Sequence, residues 1–358
     1  MFPETRPQRG RRTEGLRELA RETTLTKASL ILPLFVVPGR ARASQGRSAS
    51  QSSNRREAVV SMPGVDRISV DLLDKRVNSL ASRAVLLFGV PDDADKDEDG
   101  AAAFDENGVV PSAIRAIKKS RPDLVVITDV CLCAYTSHGH CGVLTPADLP
   151  ARRRAGLLPS RSRGSSKGGE IDIDATLDAL ARVATAHAEA GADMVAPSAM
   201  TDGQVKAIRA RLDRHGFQNT AIMSYAAKFA SSFYGPFREA AHSAPTFGDR
   251  RAYQLPAANR REAIRDALLD EAEGADWLMV KPAMPYLDVL FELRSATRLP
   301  IAAYQVSGEY AMLKAAVAAG ALDEKQAVME SALCIKRAGA DAIITYYAEE
   351  ICGWLEER

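Results

Sequence analysis

Glu273-Gly-Ala-Asp-Trp-Leu-Met-Val-Lys281-Pro282 is the stretch on which the fold turns. Its start reads as a helix stopped by glycine, the residue that takes the left-handed C-terminal position at least cost. A short apolar run follows, and such a run bounded by turn residues reads as a buried strand. Two segments echo it: Ala190-Gly-Ala-Asp-Met-Val and Ala338-Gly-Ala-Asp-Ala-Ile-Ile. Each gives helix, tight turn, strand, in that order.

Outward from these echoes, the same kind of apolar run recurs along the chain. The runs are Leu30–Val37, Ala84–Gly89, Leu124–Val130, Met194–Ser198, Thr220–Tyr225, Trp277–Lys281, Pro300–Ser307 and Ala342–Tyr347. Amphipathic spacing predicts helices over Asp174–Ala190, over Arg261–Glu273 with Ile264, Leu268 and Leu269 on one face, and over Glu324–Arg337. Strands alternating with helices imply a parallel sheet, and eight of them favour a closed (β/α)8 TIM barrel over an open doubly wound sheet. Residues 1–29 stand outside the pattern as an N-terminal arm, leaving a catalytic barrel over 30–358. Stretches 39–57 and 145–169, rich in Ser, Arg and Gly, read as solvated loop insertions. Residues 231–259 are too long for a simple connection and read as an active-site lid.

Composition narrows the function. A chain of 358 residues suits an α/β barrel with insertions, and a net charge of +1 provides no field for nucleic acid. No apolar run is long enough to cross a bilayer. Arg6–Arg12 followed by Leu30–Val37 faintly resembles a signal peptide but does not read as one, because the apolar stretch lies deep, holds Pro33 and follows Glu14, Glu18 and Glu22. Five cysteines, an odd number in a large chain, do not suggest a secreted disulfide framework. The expectation is a cytoplasmic protein with no membrane or nucleic-acid partner and with reduced thiols.

Three of those cysteines fall in Asp129-Val-Cys131-Leu-Cys133-Ala-Tyr-Thr-Ser-His-Gly-His-Cys141, at the end of a predicted strand. Three thiolates with a fourth position open would make a catalytic zinc site. Three buried structural cysteines, or a zinc knuckle completed by His138 or His140, fit the spacing equally. Other strand ends carry Ser198, Lys228, Lys281, Ser307 and Tyr346, and barrel chemistry gathers at strand C-termini. A lysine at a buried strand end is poorly solvated, and a second ammonium lowers its pKa further, so that a neutral amine can attack a ketone. A lysine that merely snorkels or pairs with a carboxylate is the bland alternative; two on adjacent strands beside thiolates argue against it. In the lid, Arg238, Arg250 and Arg251 suit a substrate carboxylate, or equally surface pairs with Glu239 and Asp249. Phe229, Phe233, Tyr234, Phe237 and Tyr253 would give the lid an apolar underside.

These residues lie in segments that together resemble the porphobilinogen synthase (5-aminolevulinate dehydratase) family over nearly the full chain. The segments are Asp129–Gly142, Met223–Ala240, Gly248–Leu255, Met279–Leu287, Tyr304–Leu313 and Ile343–Tyr347. The resemblance implies a (β/α)8 barrel that condenses two molecules of 5-aminolevulinate to porphobilinogen, with loss of two waters, in tetrapyrrole (heme) biosynthesis. It implies that Lys228 holds the first substrate as a Schiff base, with Ser307 and Tyr346 on its carboxylate. Lys281 would hold the second, with Arg238, Arg250 and Gln254 on that carboxylate and Tyr234 and Phe237 against the substrate. Asp129 and Ser198 would assist proton transfer, and Cys131, Cys133 and Cys141 would hold zinc. It also implies an allosteric magnesium at Asp266, one methylene shorter than the usual Glu, and a homo-octamer built from dimers whose arms wrap neighbouring barrels. The chain departs from the pattern at Ala199, beside Ser198, and at Ala134, beside the metal cysteines, where acidic residues are usual. A reading as another Schiff-base barrel enzyme needs only one lysine. A non-catalytic metal-binding or redox-sensing barrel needs neither the lysines nor the arginines.

Overall fold

The computed structural model describes residues 4–39, 55–145 and 169–357. Its strands are β1 (Leu30–Val37), β2 (Arg56–Ala58), β3 (Asp66–Ser69), β4 (Ala84–Gly89), β5 (Val125–Val130), β6 (Met194–Pro197), β7 (Ala221–Lys228), β8 (Trp277–Lys281), β9 (Ile301–Gln305) and β10 (Ala342–Thr345). Strand β1 and strands β4 to β10 pair in parallel, in chain order, and β10 returns to β1 through Leu30 opposite Ile343. This is the closed (β/α)8 barrel. The short β2 pairs antiparallel with β3, which lies parallel beside the C-terminal half of β1. The sequence places β2 partly inside a solvated loop; its start at Arg56 shortens that loop, most of which lies outside the described residues. The same holds for most of 145–169.

The three Gly-Ala-Asp echoes have one structural job. Gly191, Gly274 and Gly339 adopt φ of 102°, 105° and 121°, which end their helices at little steric cost. The aspartate two residues on then caps the strand before it. Asp193 accepts the Val126 N–H at 2.7 Å, Asp276 that of Ile222 at 2.8 Å and Asp341 that of Ile301 at 2.8 Å. The backbone N–H of each aspartate donates back to the carbonyl of the same residue. Each echo therefore ties a strand pair together at the bottom of the barrel.

Several predicted boundaries move. Strand β7 runs three residues past the predicted Tyr225, because a register shift between Ser224 and Ala227 lets the ladder continue, so Lys228 closes the strand rather than following it. Ser307 opens a helix, Ser307–Ala318, instead of ending β9, and Tyr346 lies one residue beyond β10. The helix predicted from Asp174 begins at Ile173, with Asp172 as its cap accepting the Ala175 N–H. Helix Arg260–Ala272 turns Ala263 and Ala267 inward and leaves Leu268 and Leu269 38% and 55% exposed, so of the predicted apolar face only Ile264 packs, partly buried, against the core. Close approach to β7 favours small residues there, and Asp270 on the same helix accepts a hydrogen bond from Ser224 at 2.5 Å. In the arm, the described residues up to Glu22 are all exposed, whereas Leu25 and Ser29 are already buried against the barrel.

Candidate active site

Lys228 and Lys281 face each other in register at the ends of β7 and β8, each 5% exposed. Tyr225 lies beneath both: Lys228 Nζ is 5.4 Å and Lys281 Nζ 4.9 Å from its ring centre. Their surroundings then diverge. Lys228 Nζ donates to the carbonyl of Ser198 at 2.5 Å, on the side of β5 and the cysteines. Lys281 Nζ sits among aromatic faces, 4.4 Å from Tyr304, 5.0 Å from Phe237 and 5.3 Å from Tyr234. The Tyr304 hydroxyl is 3.0 Å from that of Tyr346, and Ser307 Oγ accepts the Phe237 N–H at 3.0 Å. Lys281, not Lys228, thus shares a compartment with Ser307 and Tyr346.

Burial pushes the Lys281 pKa down to about 7, and the Lys228 charge adds to this, while Asp129 opposes it. A large share of Lys281 is therefore a free amine near neutral pH. Burial moves Asp129 the other way, raising its carboxyl against the pull of Lys228, a hydrogen bond with Ser198, and Lys281. A carboxyl poised upward beside a lysine poised downward can exchange protons at neutral pH.

Cys131, Cys133 and Cys141 are buried, with their sulfurs all within 4.8 Å of one another. Zinc bound to sulfur at about 2.3 Å in tetrahedral geometry spaces its thiolates roughly 3.8 Å apart, so a small inward adjustment suits this set. Hydrogen bonds from Cys131 and Cys133 lower the Cys141 pKa well below that of a free thiol, and Arg250 and Lys228 add to it. Neither histidine completes the set. His138 uses Nε2 on the Glu98 carbonyl and Nδ1 on the His140 N–H. His140 uses Nδ1 on the Tyr253 hydroxyl and Nε2 on the Phe247 carbonyl. Among the described residues this is the one group of three or more such ligands, and Cys131 and Cys133 line a small cavity with Asp129 and Phe237.

The lid crosses above the cysteines. Arg250 is 6% exposed and donates to the carbonyls of Gly139, at 3.0 Å, and Ser243. Burial works against its charge, but Cys141 and Cys133 beside it more than offset that and raise its pKa. Arg238 is half-buried; burial and then the Arg250 charge lower its pKa, and its Nε has no partner. The buried Gln254 likewise has an unpartnered Nε2. Among the described residues neither Arg238 nor Arg250 forms a salt bridge; only Arg251, 84% exposed at its side chain, pairs with Asp249. Arg238 and Arg250 are near enough for the charge of one to act on the other, and with Gln254 they keep unpartnered N–H groups, which suits an anionic guest.

The family model for delta-aminolevulinic acid dehydratase matches residues 4–354. The delta-aminolevulinic acid dehydratase of Synechocystis is 48% identical over 360 residues, covering 100% of both chains. That of Escherichia coli is 48% identical over 349 residues, covering 97% of this chain and 96% of its own. The chain belongs to the delta-aminolevulinic acid dehydratase family. It is a lyase of the hydro-lyase class. The crystal structure of the Toxoplasma gondii enzyme in complex with the reaction product porphobilinogen superposes with a TM-score of 0.88 at 41% identity, covering 100% of this chain and 94% of its own. No helix among the described residues is long and apolar enough to cross a membrane.

Within this dehydratase fold, the predicted site residues gather at one barrel mouth with one exception. Asp266 lies on the outer helix Arg260–Ala272, paired with Arg265 at 3.1 Å, away from the lysines and cysteines. Sequence reasoning missed Tyr225 and Tyr304 as site residues. Both are fully buried, and Tyr225 carries a hydroxyl beside Asp129 whose pKa burial and the Asp129 charge raise. The available signal was strand alternation, which puts Tyr225 on the inward face of β7, together with the position of Tyr304 just before the end of β9.

Proposed function

We propose that this dehydratase condenses two molecules of 5-aminolevulinate into porphobilinogen through imines on both lysines. The observation that carries the reading is the in-register pair Lys228 and Lys281, one amine depressed to about 7, beside a cluster of three thiols. A ketone needs a neutral amine to form an imine, and burial together with a neighbouring ammonium supplies one. Each lysine attacks the C4 ketone of one substrate, and the ketone oxygen leaves as water. One carbon–carbon bond and one carbon–nitrogen bond then join the two molecules, and both lysine amines are released. The balance is two 5-aminolevulinates in, one porphobilinogen and two waters out.

The compartments support an assignment of partners opposite to the one the resemblance suggested. Lys281, beside Ser307, Tyr346 and Phe237, serves the substrate whose carboxylate those hydroxyls hold. Lys228, beside Ser198 and the cysteines, serves the substrate whose carboxylate meets Arg238, Arg250 and Gln254. Asp129 feels the charge of both amines and, with the Tyr225 hydroxyl beside it, can pass protons to either. Cys131, Cys133 and Cys141 would hold zinc, which as a Lewis acid polarises a bound substrate oxygen or amine. Arg250 holds the lid down on the metal loop through the Gly139 carbonyl and excludes water from the imines.

The test is direct. Zinc-loaded protein incubated with 5-aminolevulinate should give porphobilinogen, read with Ehrlich's reagent. Lys281→Ala and Lys228→Ala should each lose orders of magnitude in turnover, as expected when a covalent catalyst is removed. Product formation at the wild-type rate in either variant would refute the two-imine mechanism.

A further inference from the structure

Glu309 joins two parts of the site that the chain keeps separate. It lies in the first turn of helix Ser307–Ala318 and is fully buried. Its Oε2 accepts the N–H of Val306 at 2.6 Å and that of Ala283 at 3.3 Å; its Oε1 accepts the N–H of Met284 at 2.6 Å. Val306 immediately precedes Ser307. Ala283 and Met284 immediately follow Lys281-Pro282. One carboxylate therefore bolts the turn leaving β8 to the helix that follows β9.

Helix capping alone does not account for this arrangement. A glutamate at this position needs only the N-cap N–H, here that of Val306, and can make that bond at the surface. Burying a carboxylate costs several kcal/mol unless it is well partnered. Among the described residues no cation pairs with Glu309; its partners are the three backbone N–H groups, two of them from the turn after Lys281. The remaining freedom on either side is already taken up. The Lys281 carbonyl accepts the Phe229 N–H at 3.0 Å and the Tyr234 hydroxyl at 3.3 Å. A Cβ on Gly308 would come within 2.6 Å of the Phe233 carbonyl oxygen, so the helix start is pressed against the lid.

We propose that Glu309 is a positioning residue that sets the Lys281 amine against the Ser307 hydroxyl, so that one bound oxo-acid spans nucleophile and carboxylate anchor. This rests on the reading of Lys281 and Ser307 as one compartment. Lys228 is one step further from Glu309: it lies on β7, which meets the Lys281 segment through the β7–β8 ladder and the Phe229 N–H, while Glu309 itself bonds only the turn after Lys281 and the residue before Ser307. A displacement of about 1 Å between nucleophile and anchor costs on the order of a hundredfold in rate.

The experiment compares the zinc-loaded wild type with Glu309→Gln and Glu309→Asp. Gln turns an NH2 toward an N–H donor. Asp keeps the carboxyl group and falls a methylene short of spanning both sides. The readouts are Tm, the kcat and KM for 5-aminolevulinate, and the rate at which borohydride traps adducts on the Lys281 and Lys228 peptides, measured by mass spectrometry. Both variants should remain folded and lose about 10- to 100-fold in kcat. Trapping at Lys281 should slow by a similar factor while trapping at Lys228 keeps the wild-type rate. Equal slowing at both lysines, or a lower Tm with kcat unchanged, would overturn the proposal and leave Glu309 as a helix cap. If both variants unfold, Glu309 is a structural residue and the proposal is equally overturned. If the wild type itself gives no Lys281 adduct, the imine reading has failed before any variant is examined, and the proposal falls with it.

Discussion

Removing the Lys228 charge should raise the pKa of Lys281, and the structure bounds the size of the change. Both Nζ atoms lie near the ring centre of Tyr225, at 5.4 Å and 4.9 Å, so their separation cannot exceed the sum, 10.3 Å. At an effective dielectric of about 20, two unit charges at that distance repel by roughly 1.6 kcal/mol or more. That is roughly 1.2 pK units at 1.36 kcal/mol per unit. The Lys281 amine, now near pH 7, should therefore titrate above pH 8 in Lys228→Met. The sign is fixed: losing a neighbouring cation favours the ammonium form, so the reactive free amine needs a higher pH. The assay is the pH dependence of borohydride trapping on the Lys281 peptide with 5-aminolevulinate. Zinc-loaded wild type and variant are compared, so the charge of the cysteine cluster is common to both. The midpoint should rise by about one pH unit or more, and trapping at pH 7 should fall about tenfold. A midpoint that stays put or moves down would show that burial alone sets the Lys281 amine, and that the two lysines are not electrostatically paired.

The metal site yields a second prediction: chelation or thiol oxidation should abolish porphobilinogen formation while circular dichroism stays that of a folded barrel, with one zinc per active site in the active form. Unfolding on chelation would make the cysteines structural. A third concerns stability: His187 is buried with its pKa pushed down to about 3, against about 6.5 unfolded. The unfolded chain binds the extra proton in that window, so stability should fall as pH falls from 6.5, by about 2 kcal/mol at pH 5, and His187→Asn should lose that share of the slope in urea titrations. A fourth concerns the arm: the described residues up to Glu22 are exposed, so deleting residues 1–22 while keeping the buried Leu25 should shift any assembly to smaller species by light scattering and lower activity. Unchanged mass and activity would make the arm a passive tail.

What the sequence made legible follows from which signals are local. The Gly-Ala-Asp echoes announced three helix–strand turns, because a left-handed glycine and the apolar run after it are written in adjacent residues. Strand β1, β4 and β8 boundaries coincide with their apolar runs for the same reason. The strand-capping role of Asp193, Asp276 and Asp341 was not legible, since each aspartate reaches to a strand distant in sequence. The apolar run stops three residues short of the end of β7 because Ala226, Ala227 and Lys228 carry no strong β signal; pairing with β8 keeps the strand going to Lys228. The lysines and cysteines were found because reactive groups at buried strand ends are unusual in themselves. Their partners were harder. Ser307 was attached to Lys228 on resemblance alone, yet the arrangement of compartments depends on which aromatic side chains fill the space between strands, and Tyr304, Phe237 and Tyr346 lie on Lys281's side. Glu309 was invisible as a site residue for a sharper version of the same reason. In sequence it is an ordinary glutamate in a helix's first turn, and only the closed barrel brings β8's exit within reach of its second oxygen. Residues that do chemistry can be read from their own type and setting; residues that hold chemistry in place are defined by what the fold brings to them.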